Sequence, residues 1–191
     1  MKAIGSGRRL PRSGNAALAA GALIQGVLGI EFLLAGLSKA ADSHYLANFK
    51  AFVATSPGAH RGPIAPLIQA VVTPHPVLAA WLAEFGELAI GIILLVAALE
   101  TARRRFAGRV GAELSYEPAV ALAGAAAGLG LATISGTIFL LDGGILPTVN
   151  PAFAFSSAIP VELMMVPLGL GIAWLELGRF AALRHARIAA R

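Results

Sequence analysis

The chain has 191 residues, of which 57% are hydrophobic and 13% charged, and its mean hydropathy is +0.76. A soluble domain of this size carries about twice that share of charge, so the composition excludes an ordinary soluble domain and indicates lipid as the surrounding solvent. The net charge of +5 would suit nucleic acid. The basic residues lie in short clusters between long apolar runs, however, which is the pattern of a membrane protein without nucleic-acid function.

Four apolar runs are long enough for a spanning helix, which needs about 20 residues. They cover roughly 15–38, 77–99, 118–141 and 159–182. Pro118 and Pro160 suit first-turn helix positions, and Asp142-Gly143-Gly144 predicts the end of the third helix. We therefore expect an all-α four-helix bundle in the lipid bilayer, forming a single domain over 1–191.

The basic residues predict the orientation of this bundle. Three lie at or in the first loop: Lys39, Lys50 and Arg61. The other twelve precede the first span, follow the second or end the fourth: Lys2, Arg8, Arg9, Arg12, Arg103, Arg104, Arg105, Arg109, Arg179, Arg184, Arg187 and Arg191. Because basic residues favour the cytoplasmic side, both termini are expected inside and the loop 39–76 outside. Twelve arginines against three lysines suggest a bacterial chain, and hence the bacterial cytoplasmic membrane.

Two extracytoplasmic loops connect the spans. In the first loop, apolar residues at helical spacing between prolines predict short amphipathic helices lying on the bundle: Tyr45, Phe49 and Phe52, then Ile64, Leu67, Ile68 and Val71. The second loop contains Asn150-Pro151, and Phe153 and Phe155 are expected to anchor it at the membrane interface. The three histidines of the first loop match no metal-ligand spacing, and we expect them to be solvated. The absence of cysteines excludes disulfides, thiol redox chemistry and cysteine-ligated clusters within this chain.

Ionisable residues within the spans are the clearest functional signal. Such residues are costly in lipid, so they usually face a bundle interior or a cavity. Four carboxyls fall in the outer half of the bundle: Glu31, Glu84, Glu87 and Glu162. A shared low-dielectric site predicts that at least one holds a proton near neutral pH, as in a proton relay. The structural alternative pairs Glu31 with Lys39 and lets the other acids hydrogen-bond between helices.

The third span carries a small-residue stripe at four-residue spacing. Its members are Gly124, Gly128, Ala132 and Gly136. Such a stripe lets a neighbouring helix approach closely, either within the bundle or between subunits, and packing within the bundle is favoured. Met164 and Met165 are expected to face lipid or to pack.

Two segments carry a family resemblance. The segment GIEFLLAGLSK at 29–39 resembles the first-helix pattern of the DoxX and DoxD families, which ends in Gly-x-x-Lys. The segment AEFGELAIGIILL at 83–95 resembles their second helix and is nearer to DoxD, the small subunit of thiosulfate:quinone oxidoreductase. The match covers roughly 25–45 and 80–105. Many relatives carry an arginine in the first helix, where this chain has Gln25.

The resemblance implies a four-helix membrane subunit associated with quinone-linked redox chemistry and the oxidation of sulfur compounds. In this hypothesis Glu84, Glu87 and Glu31 relay protons, and Lys39 holds a carbonyl oxygen or an anionic substrate. Trp81 and Ser135 are further candidates for substrate contacts. Quinone is the expected cofactor, with no metal, and electrons come from the substrate or from a partner.

Two other classes of function remain open from the sequence. A non-catalytic subunit that assembles a larger membrane complex, or a homo-oligomer, would expose the small-residue stripe of the third span. A small-solute or proton transporter is the third class, although the chain has no detectable inverted repeat.

Overall fold

The computed structural model describes residues 12–106, 116–144 and 159–189, with side chains described for 16–103, 116–144 and 159–185. These residues form helices and connecting turns, with no strand among them. The four long helices are α1 (Arg12–Ala41), α5 (Pro76–Phe106), α6 (Glu117–Leu141) and α7 (Val161–Ala189). Between α1 and α5 lie α2 (Tyr45–Thr55), α3 (Pro57–Arg61), α4 (Ala65–Leu67) and a π-helical turn (Ile68–Val72).

Each long helix contains a segment long and apolar enough to cross a membrane. These segments are Ala16–Ala41, Pro76–Arg103, Glu117–Leu141 and Val161–His185. The prediction of an all-α four-helix membrane bundle is therefore confirmed. Pro118 lies in the first turn of α6, as expected. Pro160 instead lies just before α7, where its carbonyl accepts a hydrogen bond from the Met164 amide.

The bundle consists of two tightly packed helix pairs. α1 packs mainly against α5 and α6 mainly against α7, while α5 and α6 join the pairs. In the second pair a Cβ on Gly128 would lie 2.7 Å from the Gly169 carbonyl oxygen, so only glycine permits this approach. The small-residue stripe faces α7 along its length, because a Cβ on Gly124 would meet Glu176 and one on Gly136 would meet Val166. Packing within the bundle is therefore confirmed.

A continuous apolar layer crosses the middle of the bundle, with buried side chains from all four long helices. It comprises Leu28, Phe32, Ile90, Leu94, Ala127, Leu131 and Ile172. Met165 packs against this layer, and Met164 is exposed where lipid is expected, which confirms both assignments. The layer separates the loop end of the bundle, which carries residues 42–75, from the basic end, which carries Arg103 and Arg179.

Residues 45–72, here called the cap, fold over the loop end. The expectation of short helices lying on the bundle is confirmed, because Val53, Ala59 and Ile68 pack with Leu141 at the end of α6. Gly58 is the closest contact: a Cβ there would lie 1.9 Å from the Leu140 carbonyl oxygen. The cap is therefore fixed against α6 and closes over a space between itself and the long helices.

The end of α6 follows the sequence signal. Asp142 is the C-cap residue, and Gly143 and Gly144 have φ values of +105° and +62°. This left-handed conformation ends helices and favours glycine. Asn150-Pro151, Phe153 and Phe155, expected at the membrane interface, lie outside the described residues.

Candidate functional site

A cavity of about 390 Å³ lies between the cap and the loop ends of α5 and α6. Apolar side chains form most of its wall, and the polar groups are few. The lining residues are Lys39, Tyr45, Asn48, Phe49, Phe52, Val53, Ile68, Val72, Ala79, Ala83, Glu87, Thr137, Ile138 and Leu141. A cavity of this size and character is typical of sites for small, largely apolar ligands.

An ion pair forms the main polar feature of the cavity wall. Lys39 Nζ on α1 lies 2.5 Å from Glu87 Oε2 on α5. The Glu87 side chain is only 5% exposed, whereas the Lys39 side chain is 29% exposed. An ammonium group has three donors, and within the described part of the chain only Glu87 accepts from Lys39. The ammonium can therefore hold Glu87 and still donate to a ligand.

Tyr45 connects the cap to the spanning helices beside this pair. Its hydroxyl donates to the Ala80 carbonyl oxygen at 3.2 Å. Desolvation, together with the nearby carboxylates of Glu87 and Glu84, raises the pKa of Tyr45 to about 12. The Tyr45 hydroxyl is therefore neutral at physiological pH and acts as a hydrogen-bonding group.

The proposed acid cluster is only partly assembled. Glu87 lines the cavity, and Glu84 is half-buried and close enough to act on Tyr45. Glu31 is exposed, so the expectation that it points inward with the other two is wrong. Glu31 lies about 100° around the helix from its buried neighbour Phe32. Lys39 follows Phe32 by seven residues, which is almost two full turns, and therefore lies within about 20° of the direction of Phe32. The structural pairing of Glu31 with Lys39 is also wrong, since Lys39 pairs with Glu87.

The two other predicted substrate residues do not line the cavity. Trp81 is 57% exposed and lines a separate surface pocket with Pro74 and His75. Each step of three residues falls about 60° short of a full helical turn. Trp81 is two such steps from Glu87, so its side chain points to a different side of α5. Ser135 is buried and donates to Met165 Sδ at 3.6 Å, so it is a packing residue.

Sequence reasoning missed the part of the site that the cap supplies. Tyr45, Phe49 and Phe52 were recognised as an amphipathic helix, and in the structure this helix forms one wall of the cavity. Thr137 also lines the cavity, with its hydroxyl donating to the Thr133 carbonyl oxygen. The spacing of the three aromatic residues was the available signal, but it does not reveal what their face covers.

A second polar network, at the basic end, was also missed. Gln25 Nε2 on α1 donates to Glu176 Oε1 on α7 at 2.6 Å. Arg179 Nη1 donates to Glu176 Oε2 at 3.1 Å and to Thr101 Oγ1 on α5 at 3.2 Å. These four residues are all buried. The inner half of the bundle therefore holds a polar network that joins three helices.

A neighbouring ion-pair group continues this polar end. Arg103 pairs with Glu100 on α5 and with Glu117 on α6, the latter at 3.4 Å. Glu117 is almost completely buried at the first residue of α6. The arginine therefore compensates two carboxylates that would otherwise be costly in lipid.

The apolar layer separates the two polar regions. From Lys39 to Gln25 along α1, and from Glu87 to Thr101 along α5, fourteen residues rise about 21 Å. The buried polar side chains of the long helices lie towards one level or the other: Glu87 and Ser135 towards the cavity, and Gln25, Glu100, Thr101, Glu117, Glu176 and Arg179 towards the basic end. Among the described residues, the buried side chains between these two groups are apolar.

The described residues contain no group of three or more His, Asp or Glu side chains that would hold a metal ion. His44, His60 and His75 are exposed, as expected for loop histidines. Comparison with known protein families, with characterised proteins and with solved structures finds no match to this chain. The cavity beneath the cap is therefore the main structural evidence on function.

Proposed function

We propose that this chain is a DoxX/DoxD-like membrane subunit that binds a quinone in the cavity beneath the cap. The observation that carries the proposal is the combination of an apolar cavity of about 390 Å³ with an ion pair in its wall, of which the carboxylate is buried. Both partners of that pair, Lys39 and Glu87, belong to the segments that resemble the family. The resemblance and the cavity therefore point to the same two residues.

The chemistry of the wall fits a quinone head group. A quinone is neutral and flat, and its carbonyl oxygens accept hydrogen bonds without donating any. The apolar side chains suit the ring, and the donors that Lys39 does not use for Glu87 suit a carbonyl oxygen. Several cap residues expose apolar side chains, among them Phe52, Leu67 and Val71, which supports a cap lying at the membrane interface, within reach of a lipid-soluble ligand.

Each residue of the ion pair has a role in this proposal. A bound quinone supplies an acceptor for two electrons and two protons. Lys39 orients and polarises a carbonyl oxygen, and Glu87 exchanges a proton with the same region of the ligand. Tyr45 lies on the cap side of the pair, near enough to Glu87 and Glu84 to feel both charges, and its hydroxyl is bonded to the Ala80 carbonyl oxygen. The electrons come from a reduced substrate or from a partner subunit.

The apolar layer favours this function over proton or solute transport. A transporter needs polar groups or water along the whole path, whereas the buried middle of the bundle is lined by Leu28, Leu94, Leu131 and their neighbours. Proton exchange at Glu87 is therefore expected on the loop side only. By the distribution of basic residues, that side is extracytoplasmic.

The assembly-subunit alternative loses its expected feature. That hypothesis required the small-residue stripe of α6 to be exposed, but Gly128 and its neighbours pack against α7. A protein partner is still part of our proposal, because an electron source is required.

Quinone binding to the purified full chain in lipid nanodiscs tests the proposal. The probe is decyl-ubiquinone, and the variant is Ala83→Phe, which fills the cavity from α5. The matched control is Leu82→Phe, one residue away on the exposed face of the same helix. We expect Ala83→Phe to weaken binding by about tenfold or more, equivalent to about 1.4 kcal/mol, and Leu82→Phe to leave it unchanged. Equal affinities in all three proteins would contradict the proposal.

A further inference from the structure

The cap contains a second and larger space, a cleft of about 700 Å³. Its lining residues run from α2 to the first residue of α5: Phe49, Lys50, Val53, Ala54, Ala59, His60, Gln69, Val72, Thr73 and Pro76. Phe49, Val53 and Val72 also line the cavity beneath the cap, so the two spaces share a wall. A space of this volume, with a mainly apolar lining and a few polar side chains, is typical of small-molecule sites. We call it the cap cleft.

Three of the four polar side chains in the cap cleft hold the cap together. His60 Nε2 donates to the Ala54 carbonyl oxygen at 2.8 Å, which joins α3 to α2. Gln69 Nε2 donates to the Ala59 carbonyl oxygen at 3.2 Å, which joins the π-helical turn to α3. The Thr73 hydroxyl donates to a carbonyl oxygen at the start of the same turn. These bonds fix the segments around the cleft relative to one another, so the cleft is formed before any ligand enters.

Lys50 is the fourth polar side chain, and its charge is not compensated. It is exposed, and within the described part of the chain its ammonium group forms no hydrogen bond or ion pair. The segment 43–83 contains no aspartate or glutamate, and Arg61, its other Lys or Arg residue, does not line the cleft. The cap cleft therefore combines an apolar wall with one positive charge that has three donors to offer.

We infer that the cap cleft is a binding site for a small organic acid, whose carboxylate accepts hydrogen bonds from Lys50 Nζ and whose apolar body packs against Val53 and Val72. Hydrogen bonds between an ammonium and a carboxylate are roughly twice as strong as neutral ones. The single charge of a carboxylate matches the single charge of the cleft, whereas an organic cation would be repelled. Because Lys50 does not line the cavity beneath the cap, the inference does not depend on quinone binding.

Ligand-observed NMR of the full chain in phosphatidylcholine nanodiscs tests this site, with empty nanodiscs correcting for partition into lipid. The probes are hexanoate, 1-hexanol and hexylammonium, which share an apolar body and differ in charge. We expect hexanoate to bind about tenfold more tightly than 1-hexanol, and hexylammonium to bind most weakly. Equal affinities for hexanoate and 1-hexanol would overturn the proposal. Tighter binding of hexyl phosphate than of hexanoate would also overturn it, by assigning the cleft to phosphate esters.

Two charge variants show whether Lys50 itself holds the carboxylate. Lys50→Met keeps the length of the side chain and removes the charge, so it should lower the affinity for hexanoate to that for 1-hexanol. Arg61→Met is the matched control, because it removes a positive charge of the cap that lies outside the cleft. It should leave both affinities unchanged. Equal losses in the two variants would overturn the proposal, because they would show only a diffuse effect of the charge of the cap.

A second pair of variants places the ligand in the cleft. Ala54→Phe fills the cleft and should abolish binding of hexanoate and 1-hexanol, whereas Ala51→Phe, at an exposed alanine of the same helix outside the cleft, should not. Retained binding in a folded Ala54→Phe protein would overturn the proposal. If Ala54→Phe does not fold, Lys50→Met still decides, because its side chain is exposed. Ala83→Phe, which fills the cavity beneath the cap, should leave hexanoate binding unchanged, so the two sites are tested separately.

Discussion

Lys39 on α1 and Glu87 on α5 are 48 residues apart in the chain, and their charged atoms lie 2.5 Å apart at the wall of the cavity. The pair links α1 and α5, which form one of the two tightly packed helix pairs of the bundle. Because Glu87 is buried, the lysine compensates a charge that would otherwise be costly there. The same two residues therefore contribute to the stability of the fold and to the chemistry of the proposed site.

The first prediction concerns the stability of this ion pair. Lys39→Met should destabilise the bundle by about 3 kcal/mol, because it leaves the buried Glu87 carboxylate without a partner. The double variant Lys39→Met with Glu87→Leu should recover most of this loss, because it removes both charges. Unfolding in detergent, followed by circular dichroism, measures the changes.

Glu31→Gln is the matched control for that experiment. Glu31 is an exposed glutamate on the same helix as Lys39, and it does not line the cavity. Its substitution should change the free energy of unfolding by less than about 0.5 kcal/mol. A large effect of Glu31→Gln, combined with no effect of Lys39→Met, would contradict the Lys39–Glu87 pair. It would support the inward position of Glu31 that the sequence predicted.

The second prediction concerns the pH dependence of Tyr45. Its pKa is raised to about 12 in the folded protein, above the ordinary value of 10.0. The folded state therefore holds the phenolic proton more tightly than the unfolded state. The stability that Tyr45 contributes is complete below pH 10 and is lost as the pH rises towards 12.

The chain offers a direct measurement of this shift. It has two tyrosines, so Tyr116→Phe leaves Tyr45 as the only source of tyrosinate absorbance. The titration midpoint of this variant should lie well above 10 in the folded protein and return to about 10 in denaturant. A folded midpoint at the ordinary value would mean that Tyr45 is not desolvated beneath the cap.

The third prediction concerns the glycine contact between α6 and α7. Gly169→Ala should destabilise the bundle by about 1–3 kcal/mol, because the added methyl would lie 2.6 Å from the Gly128 carbonyl oxygen. Gly171→Ala, two residues further along α7, should be neutral or slightly stabilising, since nothing lies within 4 Å of its Cβ position. Thermal unfolding of both variants in one detergent checks the difference. Equal effects of the two substitutions would contradict the helix pairing.

The fourth prediction concerns the basic-end network. Glu176→Leu should cost about 3–5 kcal/mol, because it leaves the Arg179 charge buried without its carboxylate and removes the acceptor of the Gln25 amide. It should leave quinone affinity unchanged, since about 21 Å of helix separates the network from the cavity level. Unfolding and quinone binding measured on the same preparation separate the two effects. Loss of quinone affinity without loss of stability would contradict the prediction, because it would show that the basic-end network and the cavity are coupled across the apolar layer.

The sequence predicted the spans because hydropathy and length alone determine them. Depth could also be estimated from the sequence, and it placed Glu31, Glu84 and Glu87 in the same half of the bundle. The direction in which Glu31 points around its helix could not be predicted from the sequence, because it depends on which face of α1 packs against α5. Gly29 and Gly36 set that face through their contacts with Leu95 and Leu88, and Glu31 lies outside it.

The cavity and the basic-end network depend on contacts between distant parts of the chain. Gln25 and Glu176 are 151 residues apart, and hydropathy does not indicate that they meet. Arg179 was counted among the residues that orient the bundle, although it is buried and paired. The cap aromatics Phe49 and Phe52 were assigned to a helix correctly, but only the fold shows that they enclose a cavity with Glu87.

Photo-crosslinking with an azido-quinone in native membranes, mapped by peptide mass spectrometry, tests the central claim most directly. The account predicts labels on the cap and on the cavity faces of α5 and α6, at residues such as Phe49, Ala83 and Ile138. Excess unlabelled quinone should compete for these positions, and Ala83→Phe should remove the labels. Labels confined to lipid-exposed residues such as Leu82 and Leu99, without competition, would contradict a quinone site beneath the cap.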